Sequence, residues 1–99
     1  SRAGAAPDMQ TIIDCVCDAF TMPLEKLRSK TRKKQAVTAR NTAFYLARKY
    51  TELPLKDIGF HFNRRHSTVL KGITNTEREI RQDTMVGRQI RRIEQRFEQ

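Results

Sequence analysis

Apolar residues recur at the helical period along almost the whole chain, and nowhere at the alternating period of a half-buried strand. Met9, Ile12, Ile13, Val16 and Phe20 stand at i, i+3, i+4, i+7 and i+11, the stripe of an amphipathic helix. Ala36, Ala39, Ala43, Leu46, Ala47 and Tyr50 share a second helical face with Arg40, Arg48 and Lys49 at its margins, and Val86, Ile90, Ile93 and Phe97 form a third stripe. The breaks are as informative as the stripes. Asp8 predicts an N-cap. Pro23 and Pro54 suit the first turns of two short helices, one carrying Leu24 and Leu27 and the other running to about His61. The expected class is all-α, a compact helical domain.

At 99 residues with 37% apolar content, one modest core is affordable and a large multi-domain enzyme is excluded. Residues 1–7, rich in Ala and Gly, read as a linker or expression tail, and residues 8–99 as the domain. No run of about 18 apolar residues occurs, and Ser1 to Pro7 lacks the apolar centre of a signal peptide, so a cytoplasmic location is expected and no membrane span. Cys15 and Cys17, roughly 200° apart on a helix, cannot clamp one metal ion and read as small apolar fillers.

Net charge narrows the partner. The chain carries +9, favouring a polyanion, and residues 26–49 alone hold nine bases and no acid. A solvated helix face would interleave acids with its bases, so this segment reads as an anion-binding surface. Its apolar-free part, Ser29 to Gln35, is expected to be a basic loop ahead of the Ala-rich helix.

The run from Leu55 to Val69 has the layout of a helix-turn-helix. Leu55, Ile58 and Phe62 supply apolar contacts, Gly59 permits a close crossing, and Asn63 is the non-glycine residue best able to take the left-handed turn conformation. The second helix is expected to reach about Gln82. Stepping about 100° per residue from an inward Val69 groups Leu70, Ile73 and Ile80 on one half and Arg64, Ser67, Thr68, Lys71, Asn75 and Arg78 on the other. Short hydroxyls beside Arg, Lys and Asn suit a helix that enters a major groove and offers donors to base edges. The plainer alternative is an ordinary polar face. His66 falls nearer the inward half, so a packed or capping histidine stands beside a base contact.

On these motifs the chain resembles the C-terminal DNA-binding domain of the bacterial replication-initiator family DnaA. The matching stretches, in order, are Ser29-Lys30-Thr31-Arg32-Lys33-Lys34, Ala39-Arg40, Leu55-Lys56-Asp57-Ile58-Gly59 and Arg64-Arg65-His66-Ser67-Thr68-Val69-Leu70. The resemblance runs from about Met9 to Phe97. It implies sequence-specific binding of double-stranded DNA at sites of the type TTATNCACA at a replication origin, by a monomer in the bacterial nucleoid. It places Arg32 in the minor groove, where an A·T tract concentrates negative potential. His66, Ser67 and Thr68 match base-facing positions, while Arg40, Arg48 and Lys71 match positions beside phosphates, and the helix start around Leu55 and Lys56 offers amides to a further phosphate. Lys30, Lys34 and Arg64 complete the implied surface. Two positions depart from the family: Asn63 stands alone where two glycines are common, and Arg65 stands where aspartate is usual. Arginine donates to guanine or phosphate, whereas aspartate accepts from cytosine, so a changed base preference facing Arg65 is expected, by about 1–3 kcal/mol.

Other classes fit less well. A related module in a transcriptional regulator or transposase would have the same sequence features with a different site. A membrane-surface helix is disfavoured because the bases of residues 26–49 lie mainly in a loop and Trp is absent. For an enzyme the conceivable acid–base groups are His61, His66, Glu52 and Asp57, but the two histidines lack a third ligand and the recognition region is basic. No phosphate-cradling Gly-x-x-x-x-Gly-Lys-Ser/Thr loop occurs, so neither catalysis nor a cofactor is expected here; ATP is expected only on an upstream ATPase portion. The last helix, with Arg88, Arg91, Arg92 and Arg96, is read as a packing helix with a solvated basic face.

Overall fold

The computed structural model describes residues 6–98; the first five positions of the expected linker, and Gln99, lie outside the described residues. Six helices and no strand form within them: α1 (Met9–Phe20), α2 (Leu24–Arg28), α3 (Lys34–Tyr50), α4 (Leu55–Phe60), α5 (His66–Arg81) and α6 (Met85–Phe97). The all-α class holds. One boundary moves: α3 begins at Lys34, so the basic loop is Ser29 to Lys33 and Lys34 and Gln35 are helical. Both are good helix formers, and an apolar stripe cannot reveal a helix's polar first turn.

Helix α3 lies at the centre, with α1, α2, α4 and α5 packed on it and α6 folded back against α5. The apolar stripe of α1 is buried along its whole length against this core. Phe44 of α3 and Phe62, just beyond α4, are fully buried and meet edge to face at 5.5 Å between ring centres, tying the turn to the core. On α5 the buried positions are Val69, Gly72, Ile73 and Thr76, whereas Leu70 is 46% exposed. The inward placement of Leu70 is therefore corrected. The buried stripe runs i, i+3, i+4, i+7 from Val69, and Leu70 sits one residue outside it because glycine and threonine, invisible to an apolar count, complete the stripe.

Helix α6 closes on α5 where Gly87 allows backbone approach: a Cβ there would lie 2.1 Å from the Glu79 carbonyl oxygen. Its inner face also reaches α3. Lys49 Nζ lies 2.6 Å from Glu94, the Tyr45 hydroxyl donates to the same carboxylate, and Tyr50 stacks on Phe97 at 5.1 Å. Burial, and then the Glu94 contact, push the Tyr45 phenol up to about 12. Arg88, Arg91, Arg92 and Arg96 point outward and are exposed. Cys15 and Cys17 are half-buried free thiols. Among the described residues no helix is long and apolar enough to cross a membrane.

Three helices end alike. Thr21, Asn63 and Asp83 take left-handed φ values of 50°, 57° and 53°. In each case the following N–H donates to the carbonyl five residues back: Met22 to Cys17 at 2.9 Å, Arg64 to Gly59 at 2.9 Å, and Thr84 to Glu79 at 3.2 Å. Orphan carbonyls of the last turn are thereby satisfied. The expectation at Asn63 is met, while Thr21 is an unexpected occupant because its branched Cβ is strained in this region. Replacing it relieves about 1–2 kcal/mol, less about 0.5–1 kcal/mol for the backbone entropy of glycine. Thr21→Gly is accordingly expected to stabilise the domain by a net of up to about 1.5 kcal/mol, read as a higher denaturant midpoint. A lower midpoint would contradict the strain argument.

Helix starts divide differently. Asp8 accepts from the Thr11 N–H at 2.9 Å and Thr84 from the Gly87 N–H at 3.0 Å, so α1 and α6 have side-chain caps. The Thr11 amide, followed by its hydroxyl, holds the Asp8 carboxyl below its usual range. Pro23, Lys33, Pro54 and Arg65 precede α2, α3, α4 and α5, and none makes a side-chain capping bond.

Candidate nucleic-acid interface

Helix α4, the turn through Asn63 and the start of α5 form one tight unit. A Cβ on Gly59 would lie 2.3 Å from the Arg64 carbonyl oxygen and 3.1 Å from Val69, so only glycine lets the turn fold back over α4. Arg65 is the N-cap residue of α5 and His66 its first helical residue. His66, Ser67 and Thr68 are all exposed. The packed alternative for His66 is thus not realised.

The basic loop reaches the same unit from the other side. Lys30, Thr31, Arg32, Val37, Arg40, Asn63, Arg64, Arg65 and Thr68 line one open cleft of about 520 Å³. Lys56, Asp57, Phe60, Arg64, Arg65 and His66 line a second of about 400 Å³, joined to the first through its two shared arginines. Of the sequence-expected residues, Lys30, Arg32, Arg40, Lys56, Arg64, Arg65, His66 and Thr68 are therefore brought together. Ser67 and Lys71 stand exposed on α5 beside them. Leu55 is half-buried against the core, leaving its backbone rather than its side chain for an outside partner. Lys34 lines a separate cavity with Phe20 and Val86, and Arg48 is exposed near the far end of α3.

Arg40 is the main correction. Expected at the margin of α3 and beside phosphate, it is only 5% exposed. Its guanidinium donates to the Leu27 carbonyl at 2.7 Å and to those of Ser29 and Thr31 at 3.4 Å each. It is a strut for the loop. The sequence signal failed because helical phase places a residue on a face but does not say whether a neighbouring segment covers that face. Burial, and secondarily the Arg64 guanidinium beside it, lower the Arg40 pKa, yet an arginine remains charged. Among the described residues, the ion pairs engage Lys49, Arg88 and Arg96 and no cation of the cleft. Unneutralised cations in a partly desolvated cleft, with hydroxyls and a helix start at its rim, make a receptor for an extended anion.

Two residues escaped the sequence reading. Phe60 is 80% exposed at the end of α4, beside Lys56 and Arg65. Arg28 spans from α2 to donate to the His61 carbonyl at 2.7 Å, a link across 33 residues that no local pattern encodes.

Residues 9–75 match the family model described as "Bacterial dnaA protein helix-turn-helix". The chain is similar to the chromosomal replication initiator protein DnaA of Oleidesulfovibrio alaskensis, 50% identical over 90 residues that make up 91% of this chain and 20% of that protein. Against the protein of the same name from Desulfatibacillum aliphaticivorans it is 40% identical over 82 residues, 83% of this chain and 18% of the relative. Against that from Chlorobaculum tepidum it is 33% identical over 91 residues, 91% and 18% respectively. The chain spans about a fifth of the length of these curated relatives.

Proposed function

The chain belongs to the family of bacterial DnaA helix-turn-helix domains, and from that premise we propose that it binds double-stranded DNA sequence-specifically at DnaA-box-like sites of a replication origin. The first turn of α5 enters the major groove, and Arg32 enters the adjacent minor groove. One observation carries this reading: the acid-free basic loop and the start of α5 face each other across one cleft, through Lys30, Arg32, Arg65 and Thr68. A duplex strand passing between a minor and a major groove has that shape and charge. His66, Ser67 and Thr68 read base edges, and Lys30, Lys34, Arg48, Lys56 and Lys71 lie along phosphates, with α4 offering the Leu55 and Lys56 amides. The domain, residues 8–99 with the preceding residues as linker, acts as a monomer in the nucleoid, without catalysis or cofactor of its own; ATP belongs to another part of a full-length initiator.

The test is selection of bound sequences from random duplex DNA. Enrichment of one asymmetric site with an A·T-rich end supports the reading, and failure to enrich any site overturns it. Salt supplies a second check. With Arg40 buried, Lys30, Lys33, Lys34, Arg48, Lys56 and Lys71 remain exposed for backbone contact. About six such contacts give a slope of log K against log salt of about −5. A slope near zero would contradict it.

A further inference from the structure

Helices α2 and α4 both end beside the cleft, and the last carbonyls of any helix lack partners within it. Here they are gathered by arginines from the opposite element. Arg28, at the end of α2, sends its Nε to the His61 carbonyl beyond α4 at 2.7 Å. Arg64, leaving the turn, sends Nη2 back to the Ser29 carbonyl at 2.6 Å and Nη1 to the carbonyls of Phe62 at 2.8 Å and Arg28 at 3.4 Å. The exchange is reciprocal. Arg40 shares the Ser29 carbonyl from below, at 3.4 Å. Helices α2 and α4 each pack on α3, and these guanidiniums add a direct hydrogen-bonded link between the basic loop and the helix-turn-helix.

We propose that Arg28 and Arg64 are positioning residues that clasp the loop Ser29 to Lys33 onto the turn at Phe62 and Asn63, and so fix the spacing at which the two grooves of one DNA site are read. The second part rests on the DNA-binding reading above. A planar guanidinium holds several donors in a fixed fork that spans carbonyls of two segments at once, whereas an ammonium presents its three donors from a single atom with no fixed span. Arg64 thereby takes a role different from phosphate contact, since the two hydrogen-bonding ends of its fork are already engaged within the chain.

Arg64→Lys separates the two roles because it keeps the charge. In the DNA-free protein, amide relaxation is expected to give Thr31, Arg32 and Lys33 order parameters near those of rigid backbone, about 0.85, falling toward roughly 0.6 in Arg64→Lys while α1 and α6 keep theirs. For DNA, two duplexes are compared: the selected site, and the same site with one base pair inserted between its A·T-rich end and the remainder. The unaltered protein is expected to lose about tenfold or more on insertion, the loss of one groove's contacts. Arg64→Lys is expected to shrink that ratio severalfold with an unchanged salt slope. Arg28→Lys, a milder change outside the turn, is expected to move both readouts the same way and serves if Arg64→Lys does not fold. Unchanged loop order parameters in both variants overturn the clasp. Equal loss of affinity on both duplexes overturns its control of spacing. If the unaltered protein binds neither duplex better than a scrambled one, the DNA-binding reading and the spacing role fall together, and the relaxation measurement alone decides the clasp.

Discussion

Arg40→Lys is expected to destabilise the domain by about 2–4 kcal/mol although it preserves the charge. The guanidinium serves carbonyls at Leu27, Ser29 and Thr31, spread over five residues of backbone. A lysine ammonium reaches only part of that set, and a buried acceptor such as the Leu27 carbonyl left without a donor costs about 1–3 kcal/mol. The buried cation also loses the dipoles that offset its desolvation. For a domain of this size the thermal midpoint should fall by roughly 10 °C or more. Were Arg40 a phosphate contact on an open surface, lysine would leave the midpoint in place and retain most of the affinity. An unchanged midpoint would therefore reinstate the placement inferred from helical phase. DNA affinity should be compared at a temperature where the variant remains folded, since loss of the strut also loosens the loop that carries Arg32.

The second large effect is expected at Arg65, where one substitution should move stability and binding in opposite directions. Arg65 occupies the N-cap of α5 with extended φ and ψ of −78° and 159°, and its side chain makes no capping bond. An aspartate there accepts from a first-turn N–H, so Arg65→Asp is expected to stabilise the free domain by about 1 kcal/mol. On DNA the same change removes a donor to guanine or phosphate and adds an acceptor. The preference at the facing base pair should shift by about 1–3 kcal/mol, and the salt slope should become shallower by about one. Denaturation and repeated selection from random duplexes measure the two effects separately. An unaltered base profile would remove Arg65 from the readout, and a lower midpoint would remove it from the capping argument.

These two arginines mark how far the sequence was legible. Stripes of apolar residues located α1, α3 and α6, because burial of one face imposes a period that the residues display directly, while α5 was located by the helix-turn-helix layout. Asn63 was equally visible, since few residue types tolerate its backbone conformation. Arg40 was on the right helix but on the wrong side of the solvent boundary, which depends on where Leu27 to Thr31 come to rest. Arg65 was noticed for its charge, whereas its position as N-cap needed the true start of α5. The clasp by Arg28 and Arg64 joins segments more than thirty residues apart and has no signature in either one. Leu70 and Gly72 show the complementary limit, in that an apolar count promotes an exposed leucine and overlooks a buried glycine.

The distribution of helix caps has a consequence for how folding and binding share free energy. Asp8 and Thr84 complete the first turns of α1 and α6, helices whose starts lie away from the cleft. Helix α5 begins at its rim behind Arg65, and α3 begins behind Lys33 where the basic loop ends, and neither of these residues makes a side-chain capping bond. Each missing cap forgoes about 1 kcal/mol in the free chain. In the proposed DNA complex a phosphate at either start would complete that turn, so a substitution that supplies a side-chain cap there is expected to stabilise the free domain at the expense of binding.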